Sequence, residues 1–174
     1  MTRLDRPDEL GPHLEANAAA WQEILGGVEA SALAVFGRLE ALSLGWAALQ
    51  REVLSRFEIN YAELAVLGML RTTRPEPRRS PTELRSLVGQ SSAGMTRILD
   101  KLEADGHLRR EYVEDDRRRV DVVLTASGAA LAEASLKALL AVETALLASL
   151  GNPRSAAIAS SFDALLEGFA ARRK

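Results

Sequence analysis

Arg117, Arg118 and Arg119 follow one another within the stretch Val113–Gly128, between two short runs rich in β-branched residues. Adjacent guanidiniums at the tip of a hairpin suit phosphate and a duplex minor groove. Just upstream, Ser80–Arg110 reads as two short helices joined by a tight connection, the arrangement that sets a helix into a major groove. Ser91 is placed to cap the second of them. Its apolar positions, Met95, Ile98, Leu99 and Leu102, share one face, while Ser92, Ala93, Thr96, Arg97 and Lys101 lie towards the other. Arg97 can bond bidentately to guanine or clamp a phosphate. Ser92 and Thr96 offer hydroxyls to phosphate, and Gly94 offers close backbone approach. Lys101 either joins that face or pairs with a neighbouring carboxylate. These spacings point to a winged helix-turn-helix that binds double-stranded DNA.

Missing residue types narrow the alternatives. With no cysteine there is no disulfide, thiolate metal site or thiol redox sensor. His13 and His107 lie far apart without ligand spacing, so neither a metal nor a cofactor is expected. No nucleophile–base pair or phosphate-binding glycine loop is in view, and an enzyme is not expected. Residues Met1–Leu10 lack the apolar core of a signal peptide, and no apolar run approaches the roughly 20 residues of a bilayer span. A cytoplasmic chain without membrane contact is the expectation. The net charge of -2 alone argues against a nucleic-acid partner, but its distribution argues the other way. Arg71–Arg119 holds 12 Lys/Arg against 9 Asp/Glu, and the rest of the chain holds 10 against 15. The positive excess sits where a duplex would lie, and phosphate would repel the acidic remainder.

The 174 residues suit one domain with an ample core. Residues 1–11, polar and punctuated by Pro and Gly, read as a flexible N-terminal segment. Pro12 suits a first helical position, and Leu14, Ala18, Trp21 and Leu25 recur at helical spacing up to Gly26-Gly27. A long helix from Val28 to Arg56 follows. Along it Val28, Ala32, Val35, Leu39, Leu42, Trp46, Leu49 and Val53 make a heptad seam, suited to its own chain's core or, better, to self-association. Residues 12–60 are therefore assigned to dimerisation. Asn60 and Glu63 have capping-box spacing before the apolar run Ala62–Leu70. Arg74–Arg79, with Pro75 and Pro77, reads as loop. Helices over Pro81–Val88 and Ser92–Ala104, a turn at Gly89-Gln90, a stop at Asp105-Gly106 and strands over Leu108–Val113 and Val120–Leu124 complete a DNA-binding lobe of residues 61–124. Thr125 caps a long helical region carrying Leu131, Leu139, Leu140, Leu146, Leu147 and Leu150, broken at Gly151-Asn152-Pro153. A last helix carries Ile158, Phe162, Leu165 and Phe169, which with Val35, Leu39 and Leu42 are the expected dimer contacts of segments 12–60 and 125–174. The fold class expected is mainly α with a small β-wing, a winged helix-turn-helix flanked by long N- and C-terminal dimerisation helices.

Four motifs recur in a known order: Pro81-Thr82-Glu83-Leu84; Ser91, then Met95-Thr96-Arg97, Leu99, Asp100, Leu102 and Glu103; Gly106-x-Leu108-x-Arg110; and Asp116-Arg117-Arg118 before Leu124-Thr125-x-x-Gly128. In that order they resemble the MarR family of bacterial transcription regulators, at motif level over 81–128 and in architecture over 28–170. The resemblance implies a homodimer reading a pseudo-palindromic operator with half-sites about one helical turn apart. It implies that Arg118 enters or lies near the minor groove, that Asp116 braces that arginine or the loop, and that Arg110 links wing to core. A turn-forming Asp116 and an ordinary strand-end Arg110 are the alternatives. It also implies a small aromatic or amphipathic effector between dimerisation helices and DNA-reading lobe, with Trp21, Trp46 and Tyr61 as candidate lining. Trp46 lies on the seam as well, where interface burial is the plainer role. The added N-terminal helix bearing Trp21 is similar to the family's urate-responsive subgroup; Arg110 matches one of its basic positions, while Ala65 stands where that subgroup has an acidic residue. The implied function is a repressor released by a small molecule. A winged-helix protein-interaction module without specific DNA binding is the alternative, against which Arg97 and the arginine run count.

Overall fold

The computed structural model describes residues 7–113 and 116–172, and the backbone alone at positions 7, 8, 113 and 116–119. The chain divides into two compact units, Met1–Arg56 and Phe57–Lys174.

The first unit holds α1 (Pro7–Ile24) and α2 (Ala32–Ser55). Leu14 and Ala18 of α1 pack against Ala34 of α2. Gly37 keeps the notch open, since a Cβ there would lie 2.6 Å from a Leu14 methyl. Arg38 closes the pair by donating to Glu15 at 2.8 Å and to the Ala34 carbonyl. α1 starts at Pro7 rather than Pro12, so residues 7–11 are helical and Pro12 lies inside the helix. The proline removes one backbone donor near the helix start, and packing of Leu10 and Leu14 onto α2 offsets that loss. α2 starts four residues later than Val28 suggests. Gly26 (φ 67°) and Gly27 (φ 89°) adopt left-handed backbone, and the Glu29 carboxylate accepts from the Ser31 N–H, holding the connection as a turn.

Val35 and Leu42 of the α2 seam are exposed, Leu39 and Trp46 are half-buried, and Ala34 and Ala41 are the buried positions of that stretch. α2 is long enough and apolar enough on average to cross a bilayer, a property that helices packed within a protein also have. Arg38, Glu40, Arg51 and Glu52 interrupt the apolar run, yet the helix keeps an apolar average.

The second unit is built on α3 (Tyr61–Thr72), α4 (Pro81–Val88), α5 (Ser92–Ala104), a sheet of β1 (Arg78–Arg79), β2 (Leu108–Val113) and β3 (Asp116–Leu124), α6 (Ala126–Ala148) and α7 (Asn152–Ala171). Its core joins Val66, Leu67 and Leu70 of α3, Leu84 of α4, the stripe Met95, Ile98, Leu99 and Leu102 of α5, and Leu108, Val122, Leu124 and Ala132. The start of α6 thus belongs to this core. The sheet is antiparallel in the order β1-β3-β2. β1 corrects the expected loop: Arg78 faces Val123 and Arg79 faces Val122, with the Leu124 N–H bonded to the Pro77 carbonyl at 3.0 Å. A two-residue edge strand has no pattern of its own to reveal it.

Caps set the helix starts. Asn60 with Glu63, and Ser80 with Glu83, form reciprocal capping boxes, while Ser91 and Thr125 cap α5 and α6. Gly128, in the first turn of α6, lies against the α5–β2 turn, where a Cβ would fall 1.9 Å from the His107 carbonyl oxygen. α7 buries no residue; Ile158, Phe162 and Phe169 are exposed and Leu165 is half-buried.

Candidate nucleic-acid interface

α4, the Gly89 turn and α5 form the helix-turn-helix. Gly89 takes left-handed backbone (φ 69°), which lets the chain reverse directly into the Ser91 cap. The Ser91 hydroxyl accepts from the Gly94 N–H at 3.1 Å. A Cβ on Gly94 would press on Ser91 and Gln90 at 3.1 Å, so this glycine makes room for the cap itself.

Beside its buried stripe, the N-terminal half of α5 presents exposed Ser92, Ala93, Thr96 and Arg97. Thr96 donates to the Ser92 carbonyl at 3.0 Å, which leaves its oxygen to accept. Arg97 is exposed; its Nε donates to the Ala93 carbonyl at 3.4 Å, and among the described residues no carboxylate pairs with it. Arg85 of α4 was not singled out from sequence, yet it donates to the Ser92 hydroxyl at 3.3 Å and joins the same face. Its one signal is an exposed basic residue beside buried Leu84 on a short helix. Pro81, Thr82, Arg85, Ser92, Met95, Thr96, Leu99 and Arg110 line a depression of ≈ 340 Å³ between α4, α5 and β2. A helix N-terminus with the Arg85 guanidinium beside it is an anion-seeking surface.

In the C-terminal half of α5 the charged side chains are engaged by other parts of the lobe. Lys101, which the sequence leaves open between the DNA face and a neighbouring carboxylate, is exposed and paired with a carboxylate. Its Nζ donates to Glu63 Oε2 at 2.9 Å and to the Glu58 carbonyl at 2.8 Å. Glu63 is buried, and a buried carboxylate recruits the nearest cation. Arg110 of β2 donates to Asp100 at 2.7 Å and to Glu103, whose other oxygen accepts the Arg110 N–H. Desolvation opposes its charge, but the bond to Asp100 and the field of Glu103 outweigh it and hold the guanidinium above its ordinary pKa. Arg110 thereby joins β2 to α5.

The wing is longer than expected. β3 begins at Asp116, so the arginine run belongs to a strand and not to the connecting tip. Tyr112 faces Val120 while Val113 faces Asp116. Arg117–Arg119 are therefore accommodated as extra residues of β3, in an irregularity of the ladder. The side chains of Asp116, Arg117, Arg118 and Arg119 lie outside the described residues. Arg78 and Arg109, by contrast, are both paired with Glu111.

Trp21 (44% exposed) stands on α1 and half-buried Trp46 on α2, while exposed Tyr61 opens α3 in the other unit. None of the three lines the α4–α5 depression or a second hollow of ≈ 500 Å³ beside Phe57, Glu58, Ile59, Lys101, Asp105 and His107.

The model of the MarR family matches residues 57–119, the span from the α2–α3 connection to the end of the arginine run. The chain is 30% identical over 111 residues to the HTH-type transcriptional regulator PecS of Dickeya dadantii (strain 3937), covering 64% of this chain and 67% of that protein. Its fold is similar to that of MepR of S. aureus in complex with DNA (TM-score 0.66, 19% identity, 75% of this chain and 94% of that one). It is also similar to BpsR of Bordetella bronchiseptica, whose DNA binding is regulated by 6-hydroxynicotinic acid (TM-score 0.64, 21% identity, 78% and 92%). With its capped α4–α5 pair, three-stranded wing and PecS-like sequence, the chain belongs to the MarR family of winged-helix transcription regulators, and is a regulator rather than an enzyme.

Proposed function

We propose that this chain binds a pseudo-palindromic DNA operator as a homodimer and represses transcription until a small molecule releases it. The observation that carries DNA binding is Arg97, exposed on the capped N-terminal half of α5 with no carboxylate partner among the described residues. Ser92, Thr96 and Arg85 extend that face, and Arg117–Arg119 supply the wing's charge. The MepR complex supports docking of this fold on DNA. Uncovered apolar residues support the dimer: Val35 and Leu42 on α2, and Ile158, Phe162 and Phe169 on α7. The same need for cover accounts for the apolar character of α2 in a cytoplasmic protein. BpsR supports release by a small aromatic ligand, for which Trp21, Trp46 and Tyr61 are the candidates here.

Fluorescence polarisation with a duplex from upstream of its own gene, beside a random duplex at equal salt, tests the reading. The wild type is expected to prefer the upstream duplex, and the Arg97→Ala/Arg118→Ala variant to lose that preference. Binding to neither duplex at low salt would put the protein-interaction module first.

A further inference from the structure

Glu63 on α3 and Lys101 on α5 lie 38 positions apart in sequence and meet at 2.9 Å. The Glu63 side chain is only 5% exposed, so its charge has little water to stabilise it and depends on donors. Oε2 receives both of those the structure shows, the Asn60 N–H at 2.9 Å and the Lys101 ammonium. Lys101 is engaged a second time by the Glu58 carbonyl at 2.8 Å. Glu58 holds left-handed backbone (φ 57°), unusual for a residue with a side chain. The strain is sustained where the carbonyl meets an ammonium. On the other flank of α5, Asp100 and Glu103 are held by Arg110.

We infer that Lys101 is a positioning residue: through Glu63 and Glu58 it fixes the C-terminal half of the recognition helix against the segment leading into α3, and it does not contact DNA. This rests on the DNA-binding reading above, which gives that placement its purpose. A lysine on a recognition helix would ordinarily be assigned to phosphate, and the two roles predict opposite signs for one substitution.

Glu63→Gln keeps an acceptor for the Asn60 N–H but removes a negative charge from a lobe that meets a polyanion. Electrostatics alone would tighten binding. If the pair positions α5, affinity for the preferred duplex falls roughly threefold to tenfold, within the lower part of the coupling range of contacting pairs. Lys101→Met falls similarly and keeps the wild-type slope of log affinity against log salt, and Lys101→Arg restores binding. Lys101 as a phosphate contact would instead leave Glu63→Gln at least as tight as wild type and flatten the slope of Lys101→Met by about 0.9; either result overturns the inference. Amide hydrogen exchange on the free protein separates this from the DNA-binding reading. Residues 98–104 are expected to exchange faster in Lys101→Met and Glu63→Gln, with recovery in Lys101→Arg. Unchanged exchange overturns the tether even if DNA is bound. Absence of DNA binding by the wild type overturns the proposed function and leaves exchange to decide the tether.

Discussion

Along α5, the N-terminal half presents Ser92, Thr96 and Arg97 to solvent, while in the C-terminal half Asp100, Lys101 and Glu103 are each bound to a residue from elsewhere in the lobe. Both halves carry a cation on the helix surface. Arg97 is left with a backbone carbonyl of its own helix, whereas Lys101 is claimed by a carboxylate that folding has buried. Residue type does not distinguish contact from placement. What distinguishes them is whether the fold delivers a counter-charge. Substitutions that loosen placement should therefore cost stability, and substitutions on the free half should cost binding alone.

The largest stability loss is expected from outside α5, at the turn that holds its end. Gly128→Ala puts a methyl group 1.9 Å from the His107 carbonyl, so the start of α6 must move away from the turn that Gly106 and Thr125 bridge at 2.8 Å. A cost of about 3 kcal/mol is the scale of overpacking against an unyielding backbone. Urea unfolding at fixed protein concentration measures it, and a variant as stable as wild type would show that the turn does not constrain α5. Lys101→Met comes next. It strands the Glu63 carboxylate, but Lys101 is 42% exposed and water screens part of the loss, which reduces the expectation to about 1–2 kcal/mol. In the Glu63→Gln/Lys101→Met double variant the two losses should not add; additive losses would mean that the residues act separately.

Ser91→Ala removes the acceptor for the Gly94 N–H and should cost about 1 kcal/mol, while Ser91→Asp keeps a side-chain acceptor and should stay close to wild type. It tests whether the contact half is itself held in place. An equal loss in both variants would assign the effect to something other than the capping bond.

What could be read from the sequence follows from how local its cause is. The bounds of α5 depend on a cap, a stripe and a glycine within one short segment, and Ser92–Ala104 was legible in full. So was the Asn60–Glu63 capping box. β1 was hidden because two residues become a strand only when β3 arrives beside them. The early start of α1 was hidden because Pro12 imitates a helix N-terminus, while packing against α2 lets the helix run through it. The arginine run imitated a tip because its strand carries an irregular register that no alternation announces. Sequence alone leaves Lys101 between two roles because the deciding carboxylate comes from another helix. Arg85 carries little signal in the sequence because its partner Ser92 lies across the turn.

Arg97→Ala should give the smallest stability change and sharpens the contrast most. Its side chain is exposed, its one bond is to a carbonyl already inside a helix, and no described carboxylate is left unpaired by its loss. Alanine is also the better helix former. The unfolding free energy is therefore expected to move by less than about 0.5 kcal/mol. Loss of a bidentate base contact costs about 1–3 kcal/mol of discrimination, so affinity for the preferred duplex should fall while the random duplex loses less. Equal losses on both duplexes, with a salt slope flatter by about 0.9, would reassign Arg97 to phosphate. A stability loss as large as that of Lys101→Met would erase the distinction between the two halves, because Arg97 would then be a placement residue as well.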